Sequence, residues 1–276
     1  MPELPEVETT RRGLIPRLSG KAIRSVLVRD RRLRWPVPTD LESRLSGATI
    51  QSLHRRGKYL LVSVNKARLD EHVLIHLGMT GTLRVLEEPA PAGKHDHIEV
   101  RLKDGQLLRY ADPRRFGCWL WAGRDWASHP LLASLGPEPF DAAFNAAYLH
   151  SATRGRSASI KSVIMNAGIV TGVGNIYANE ALFRAGIHPL TRAGRLSVER
   201  LGELVEQIRA VLAEAIEAGG SSIRDYVQSD GASGWFQLRY AVYGRAGEAC
   251  RTCGADIRVT RDAQRATFFC SRCQKR

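Results

Sequence analysis

Cys250-Arg251-Thr252-Cys253 and, sixteen residues further on, Cys270-Ser271-Arg272-Cys273 stand near the C-terminal end of the sequence. Two C-x-x-C pairs at this spacing fit a four-thiolate zinc site closed on all sides, which is structural rather than catalytic. A redox dithiol would not need two pairs flanking a short hairpin. The fifth cysteine, Cys118, lies alone, so the cysteines do not form the distributed framework of a secreted disulfide domain. One zinc with four thiolates carries a net charge of about −2. The loop between the pairs nevertheless holds Arg258, Arg261 and Arg265, and Arg272, Lys275 and Arg276 follow. That is more positive charge than the metal site has to balance, so the finger is expected to present cations to phosphate.

Upstream of the finger, two Gly/Ser-rich stretches at 219–222 and 231–234 read as connections. Before them the apolar period is helical, over 143–153, 159–166, 175–185 and 197–218. In the last of these Ser197 suits an N-cap. Leu201, Leu204, Val205, Ile208, Val211 and Leu212 mark one face, and Gly219-Gly220 ends it. Pro137 and Pro139 mark the entry to this helical part.

The first 125 residues change period again. Short apolar or alternating runs at 22–28, 49–53, 59–64, 72–77, 82–86, 98–102, 106–110 and 118–121 are separated by close-spaced turn residues, which predicts an antiparallel sandwich or barrel. A helix precedes it. Pro5 suits a first helical turn and Val7, Thr10, Leu14 and Leu18 share a face, while Gly13 and Pro16 weaken its far end. The fold class is therefore α+β, with boundaries set at 1–127, 137–228 and 240–276.

Lys and Arg number 41 against 28 Asp and Glu, a formal charge of +13 over 276 residues. Such an excess points to a polyanionic partner. With 43% hydrophobic residues the chain is too apolar for disorder, and no run approaches the roughly 20 apolar residues of a membrane span. The start, Met1-Pro2-Glu3-Leu4-Pro5-Glu6-Val7-Glu8, is acidic and lacks the apolar stretch of a secretory signal, which leads to the expectation of a cytoplasmic protein. Removal of Met1 would leave Pro2 as a secondary amine. An α-amino group has a pKa of about 7.7–8.0 against about 10.4 for lysine, so roughly a tenth is free base at neutral pH and Schiff-base chemistry becomes accessible. Glu3 and Glu6 lie within one turn and are candidates to move protons for it. Taken alone, the same acids also read as helix-dipole compensation.

Two other patterns lead nowhere. Gly172-x-Gly174 precedes a helix, but Tyr177 stands where a dinucleotide fingerprint needs its third glycine, so no nucleotide cofactor is expected. His72 and His76 lie in a strand-like run without the HExxH context of a catalytic zinc. Three basic segments remain, at 55–58, 112–117 and 154–161. In the second, Arg114-Arg115-Phe116 in a Pro/Gly turn would let a planar cation and a wedge enter a base stack together. Asn175, at a helix N-terminus after the glycine loop, suits a phosphate.

Taken jointly, Pro2-Glu3-Leu4-Pro5-Glu6-Val7-Glu8-Thr9, Arg56-Gly57-Lys58-Tyr59-Leu60, His76-Leu77-Gly78-Met79, Lys94-His95-Asp96-His97, Asp112-Pro113-Arg114-Arg115-Phe116-Gly117, Gly172-Val173-Gly174-Asn175-Ile176-Tyr177 and Gln264-Arg265-Ala266-Thr267 resemble the bacterial formamidopyrimidine-DNA glycosylases along the whole chain. The resemblance implies a β-sandwich, a helix-two-turns-helix domain and a zinc finger, with double-stranded DNA containing oxidised purines or abasic sites as partner, one structural Zn2+ and a monomeric enzyme. It implies that Pro2 attacks C1′ of the damaged nucleotide, that Glu3 is general acid/base on the sugar with Glu6 beside it, and that Lys58 binds phosphate and assists the lyase steps. Met79, Arg114 and Phe116 would fill the void left by the flipped base. Asn175 and Arg265 would clamp phosphates, Arg265 also taking part in the second elimination, and His95, Arg156, Lys161 and Tyr177 would touch DNA. Cys250, Cys253, Cys270 and Cys273 would hold the zinc, and the stretch 219–234 would cover the flipped base. The sister family resembling endonuclease VIII, acting on oxidised pyrimidines, and a member that only binds damaged DNA are the competing readings. Intact Pro2, Glu3 and Lys58 stand against the second.

Overall fold

Eight antiparallel strands carry the first part of the chain in the computed structural model, which describes residues 2–67, 69–87, 90–221 and 236–276. The expectations placed on Met1 and on most of 219–234 lie outside the described residues. Strands β1 (Ile23–Val28), β6 (Asp96–Leu102), β7 (Leu107–Ala111) and β5 (Thr82–Leu86) form one sheet in that order. Strands β2 (Thr49–Arg56), β3 (Tyr59–Lys66), β4 (Leu69–His76) and β8 (Cys118–Gly123) form the other. Ile23, Val100 and Leu108 of the first sheet and Ile50, Val62, Val73 and Trp119 of the second belong to one core, so the predicted sandwich is what forms. Every predicted strand is present.

Helix α1 (Leu4–Leu18) adds Val7, Leu14 and Leu18 to the core that Leu60, Val62 and Val64 of β3 face, and β3 buries five consecutive residues, Leu60 and Leu61 among them. The helix continues past Gly13 and Pro16, further than its sequence suggests. Leu14 and Leu18 are buried there and Arg17 donates to the Val85 carbonyl at 3.0 Å, and these contacts offset the bond that proline cannot make. Near its start, Glu8 takes hydrogen bonds from Arg11, Arg12 and, across to β2, Arg55. Burial pushes the Glu8 carboxyl up, but the bonds from Arg11 and Arg12 and the charges of Arg11 and Arg55 outweigh it and hold it at about 2. A five-residue helix, α2 (Leu41–Leu45), has no counterpart in the sequence reading.

The chain separates into two compact units, 1–133 with 218–235 and 134–217 with 236–276. The single turn of α3 (Pro130–Ala133) closes the first stretch of unit one, and the second unit is built on α4 (Ala146–Thr153), α5 (Ile160–Ile164), α6 (Asn175–Arg184) and α7 (Val198–Glu217). All six residues predicted for the apolar face of α7 are buried, against α4 and α6. The finger hairpin, β9 (Ile257–Asp262) and β10 (Arg265–Cys270), belongs to the same unit, where the sequence suggested a separate section. Glu180 of α6 is the main tether. Its carboxylate, 1% exposed, accepts the N–H groups of Ala241, Val242 and Tyr243 at 2.8–3.0 Å. Glu180→Ala would leave three donors without their acceptor and is expected to cost about 3 kcal/mol. The urea midpoint of the zinc-loaded protein reads this out, and a change below a few tenths of a kcal/mol contradicts the tether.

Candidate functional site

Pro2 and Glu3 are buried at the start of α1. Both carboxylate oxygens of Glu6 are used to hold this end. One accepts the Glu3 N–H at 2.8 Å and the other the Ser221 N–H at 2.8 Å. Gly220 makes the second bond accessible, with φ of +80° and the place of its missing Cβ only 3.2 Å from Glu6 Oε1. Glu6 thus fixes the backbone on which Pro2 and Glu3 stand.

Lys58 sits at the tip of the β2–β3 hairpin. Gly57 precedes it with φ of +56°, the positive φ that a two-residue primed turn requires at its first position. Close by is His76, at the end of β4, its ring 4.8 Å from that of Tyr59 and tilted against it by 47°. Burial, then the positive charges of Lys58 and Arg34, bring the His76 imidazole down to about 4. Neutral Nδ1 is therefore able to accept the Gly78 N–H at 3.0 Å, and this bond shapes the turn that carries Met79.

A second loop meets that turn. Asp112 is fully buried, and one carboxylate oxygen accepts Thr80 Oγ1 at 2.7 Å while the other accepts the Gly117 N–H at 2.9 Å and Tyr110 Oη–H at 3.1 Å. Burial and then the Asp112 charge push the Tyr110 phenol well above its ordinary range, so it stays a donor. The Asp112 carbonyl accepts from buried His97 at 2.8 Å, and its N–H donates to the His95 carbonyl. Thr80 Oγ1 in turn accepts the Arg114 N–H at 3.2 Å. Gly78 lies backbone against backbone on this loop, since a Cβ there would come within 2.5 Å of Gly117 N. Met79, His95, Arg114 and Phe116 are thereby gathered on one framework. Arg114 and Phe116 are exposed, the guanidinium 4.7 Å above the ring, and Arg115 between them takes a φ of +57° secured by an ion pair to Asp30 at 2.7 Å. Cys118, two residues after Phe116, is fully buried with its thiol pushed up to about 12 by burial, so it serves as core packing.

In the second unit the Ala266 carbonyl is the meeting point. It accepts Asn175 Nδ2 at 3.0 Å and Lys161 Nζ at 3.1 Å, placing Asn175 beside the strand that begins with exposed Arg265. Ala263 and Gln264 form the hairpin turn before Arg265, both with positive φ. Lys161 differs from a solvent-facing cation: it is 1% exposed and its ammonium is spent on Ala266 O and on Thr267 Oγ1 at 2.6 Å. Tyr177 is also buried, its ring 5.7 Å from Phe236. Arg156 is exposed, anchored by its Nε to the Ala152 carbonyl. Sequence reasoning missed Asp112 and Glu180 as the groups that hold these parts, because a lone acid in a chain reads as a solvated one.

The four cysteine sulfurs of the finger lie within 4.8 Å of one another, with Cys250–Cys273 at 3.9 Å and Cys253–Cys270 at 3.4 Å. Four thiolates at about 2.3 Å around a tetrahedral zinc stand about 3.8 Å apart, so the cluster fits the metal.

Comparison with known families gives three matches in order: the formamidopyrimidine-DNA glycosylase N-terminal domain over residues 1–119, the H2TH domain of the same enzymes over 135–227, and a zinc finger found in FPG and IleRS over 247–276. The chain is 55% identical to the formamidopyrimidine-DNA glycosylase of Cupriavidus pinatubonensis, over 99% of this chain and all of that one. With the enzyme of that name from Methylococcus capsulatus it shares 53% over the full length of both. Among solved structures it resembles Lactococcus lactis Fpg over both whole chains. The TM-score is 0.91 at 37% identity for a mutant in complex with DNA containing Fapy-dG, and 0.91 at 38% for a complex with abasic-site DNA. Together with the sulfur geometry, the finger match makes Cys250, Cys253, Cys270 and Cys273 the site of one structural zinc. Among the described residues no helix is long and apolar enough to cross a membrane.

The His76 assignment makes a pH prediction. Its folded pKa lies below the ordinary 6.5, so its contribution is complete above pH 6.5 and is lost as pH falls toward 4, where the folded protein also takes up the proton. The difference amounts to about 3 kcal/mol. Urea midpoints of the protein and of His76→Gln should converge by about that amount between pH 7 and 4, with thiolate protonation common to both. A constant gap would refute the neutral imidazole.

Proposed function

The chain belongs to the formamidopyrimidine-DNA glycosylase family, and from that membership we propose that it is a bifunctional DNA repair enzyme, a glycosylase and abasic-site lyase that flips out and excises oxidised purines. The observation that carries this reading is the start of α1, where Glu6 holds Glu3 and the residue before it is Pro2. With Met1 removed, the Pro2 nitrogen attacks C1′ and the oxidised base departs, Glu3 managing the proton and the ring oxygen of the sugar. Displacement of the base leaves Pro2 bonded to C1′ with the sugar ring closed, the amine proton going to the departing base; Glu3 then protonates the ring oxygen, its bond to C1′ breaks and the iminium forms. Abstraction of a C2′ proton then expels the 3′ phosphate, a second elimination expels the 5′ phosphate, and water releases the sugar remnant and restores the amine. Glu6 acts by positioning, as its oxygens are taken up by Glu3 and Ser221.

Lys58, at its hairpin tip, binds phosphate and assists the eliminations. Met79, Arg114 and Phe116 enter the stack where the base has left, an aromatic wedge and a planar cation on a buried frame. His95 and Arg156 touch the DNA, and Asn175 and Arg265 clamp phosphates, Arg265 serving in the second elimination as well. Lys161 supports the strand bearing Arg265 from beneath, and Tyr177 packs behind the helix end that presents Asn175. The zinc holds the finger and takes no chemical step. The enzyme acts as a monomer in the cytoplasm, at the nucleoid. Lactococcus lactis Fpg has also been solved with DNA containing an oxidised pyrimidine, so the substrate comparison includes that class.

The experiment is borohydride trapping on a duplex bearing 8-oxoguanine opposite cytosine, with the modified peptide located by mass. A stable adduct on Pro2 is expected. Tight binding without an adduct would replace the catalytic reading by a binding one, and an adduct formed only on an oxidised pyrimidine would move the chain's activity to that of the sister family.

A further inference from the structure

The second unit contains a cavity of about 830 Å³ that the mechanism does not use. Five cations line it, Arg192, Arg195, Arg200, Lys275 and Arg276, and no Asp or Glu does. Among the described residues none of the five makes an ion pair with a side-chain carboxylate. Arg200 donates to the Gly186 carbonyl at 3.1 Å. A concave wall of one charge focuses its field on whatever enters, and a volume in this range suits a bound ligand rather than a lattice of trapped water.

Both walls are fixed in place. Residues 191–194 are zipped to 156–160 by three backbone hydrogen bonds, Ile160 N to Thr191 O at 2.8 Å, Ala193 N to Ala158 O at 2.9 Å and Gly194 N to Arg156 O at 3.2 Å. On the other side the last residues pair with Gly186–His188, through Lys275 N to Gly186 O at 3.1 Å and His188 N to Lys275 O at 2.8 Å. Thr191 supplies an independent sign. It lines the cavity, is 7% exposed, and its hydroxyl has no hydrogen-bond partner. The 20-residue helix α7 also begins here, with Ser197 in the lining, so its positive end adds to the field.

We infer that this cavity is a second phosphodiester site, which takes the backbone of duplex DNA outside the lesion. It rests on the reading of the chain as a DNA repair glycosylase. Guanidinium forks match phosphate oxygens, and the zipper to 156–160 makes the cavity continuous with the basic segment that carries Arg156. An acidic protein segment would be drawn by the same charge, but nothing in the fold offers it that continuity.

The test uses the full zinc-loaded protein and the double variant Arg192→Gln/Arg195→Gln, whose positions are exposed and leave the core intact. Binding is measured against salt on undamaged duplexes of about one and about four helical turns. Cleavage of an abasic site in the short duplex is followed in parallel. On the long duplex the slope of log K against log salt should fall by about 2 in the variant, as two phosphate contacts are lost. Affinity for the short duplex and cleavage should stay unchanged. Equal slopes for protein and variant on the long duplex overturn the site and favour another polyanion, and a fall of the same size on both duplexes overturns its placement outside the lesion. Failure of the unaltered protein to cleave the abasic site counts against the proposed function instead, and the long-duplex slopes are read independently of it.

Discussion

Asp112 is where the tip of the sandwich is decided. Two turns far apart in sequence, 77–81 and 112–117, have no regular structure of their own to align them, and one contains a non-glycine residue in the left-handed region, Arg115, at a cost of about 1 kcal/mol. The buried carboxylate accepts Thr80 from the first turn and Gly117 from the second, and its own main chain ties in His95 and His97. Hydrogen bonds to a buried charge are each worth about 2 kcal/mol, more in sum than the strain, so the arrangement that places Met79, Arg114 and Phe116 together is the stable one. An exposed aromatic and an exposed arginine could not be aimed by their own contacts with water. They are aimed from below.

The same logic recurs elsewhere with different groups. Glu6 fixes the backbone of Glu3 from inside, Glu180 fixes the entry to the finger, and the Ala266 carbonyl joins Asn175 to the strand of Arg265. Asp262, at the end of β9, accepts Ser159 Oγ at 2.5 Å and Ser162 Oγ at 3.0 Å and so ties the hairpin to the start of α5. In each case an acceptor ties its donors to a segment distant in sequence, and on the proposed function the side chains beside it meet the nucleic acid. A +13 chain has cations to spare, and the few buried acids determine where they stand.

Period and turn chemistry made the eight strands and the face of α7 legible, since both follow from local residue order. The far end of α1 was less so, because Leu14 and Leu18 are held by tertiary burial that outweighs Pro16. Helix α2 is too short to show a period. The zinc ligands were fully legible, as their spacing is the signal. Pro2 and Glu3 were candidates from the N-terminal amine and the acids beside it, and their roles on the sugar, with that of Lys58, came only with the joint motifs. Lys161 and Tyr177 lie in the right motifs but point inward, a matter of side-chain direction that a one-dimensional pattern does not carry. Asp112 and Glu180 were missed because their partners stand 32 and 62 residues away.

On the proposed function the tasks separate: the frame around Asp112 serves entry into the stack, and the start of α1 serves the bond changes. The most direct measurement compares single-turnover rates of Asp112→Asn and the unaltered protein on two duplexes. One carries 8-oxoguanine opposite cytosine. The other carries an abasic site facing an abasic site, where no orphaned base has to be held. The account predicts a loss of about tenfold or more on the first, equivalent to about 1.4 kcal/mol, and rates within about twofold on the second. Equal losses on both, or none on the first, would contradict it.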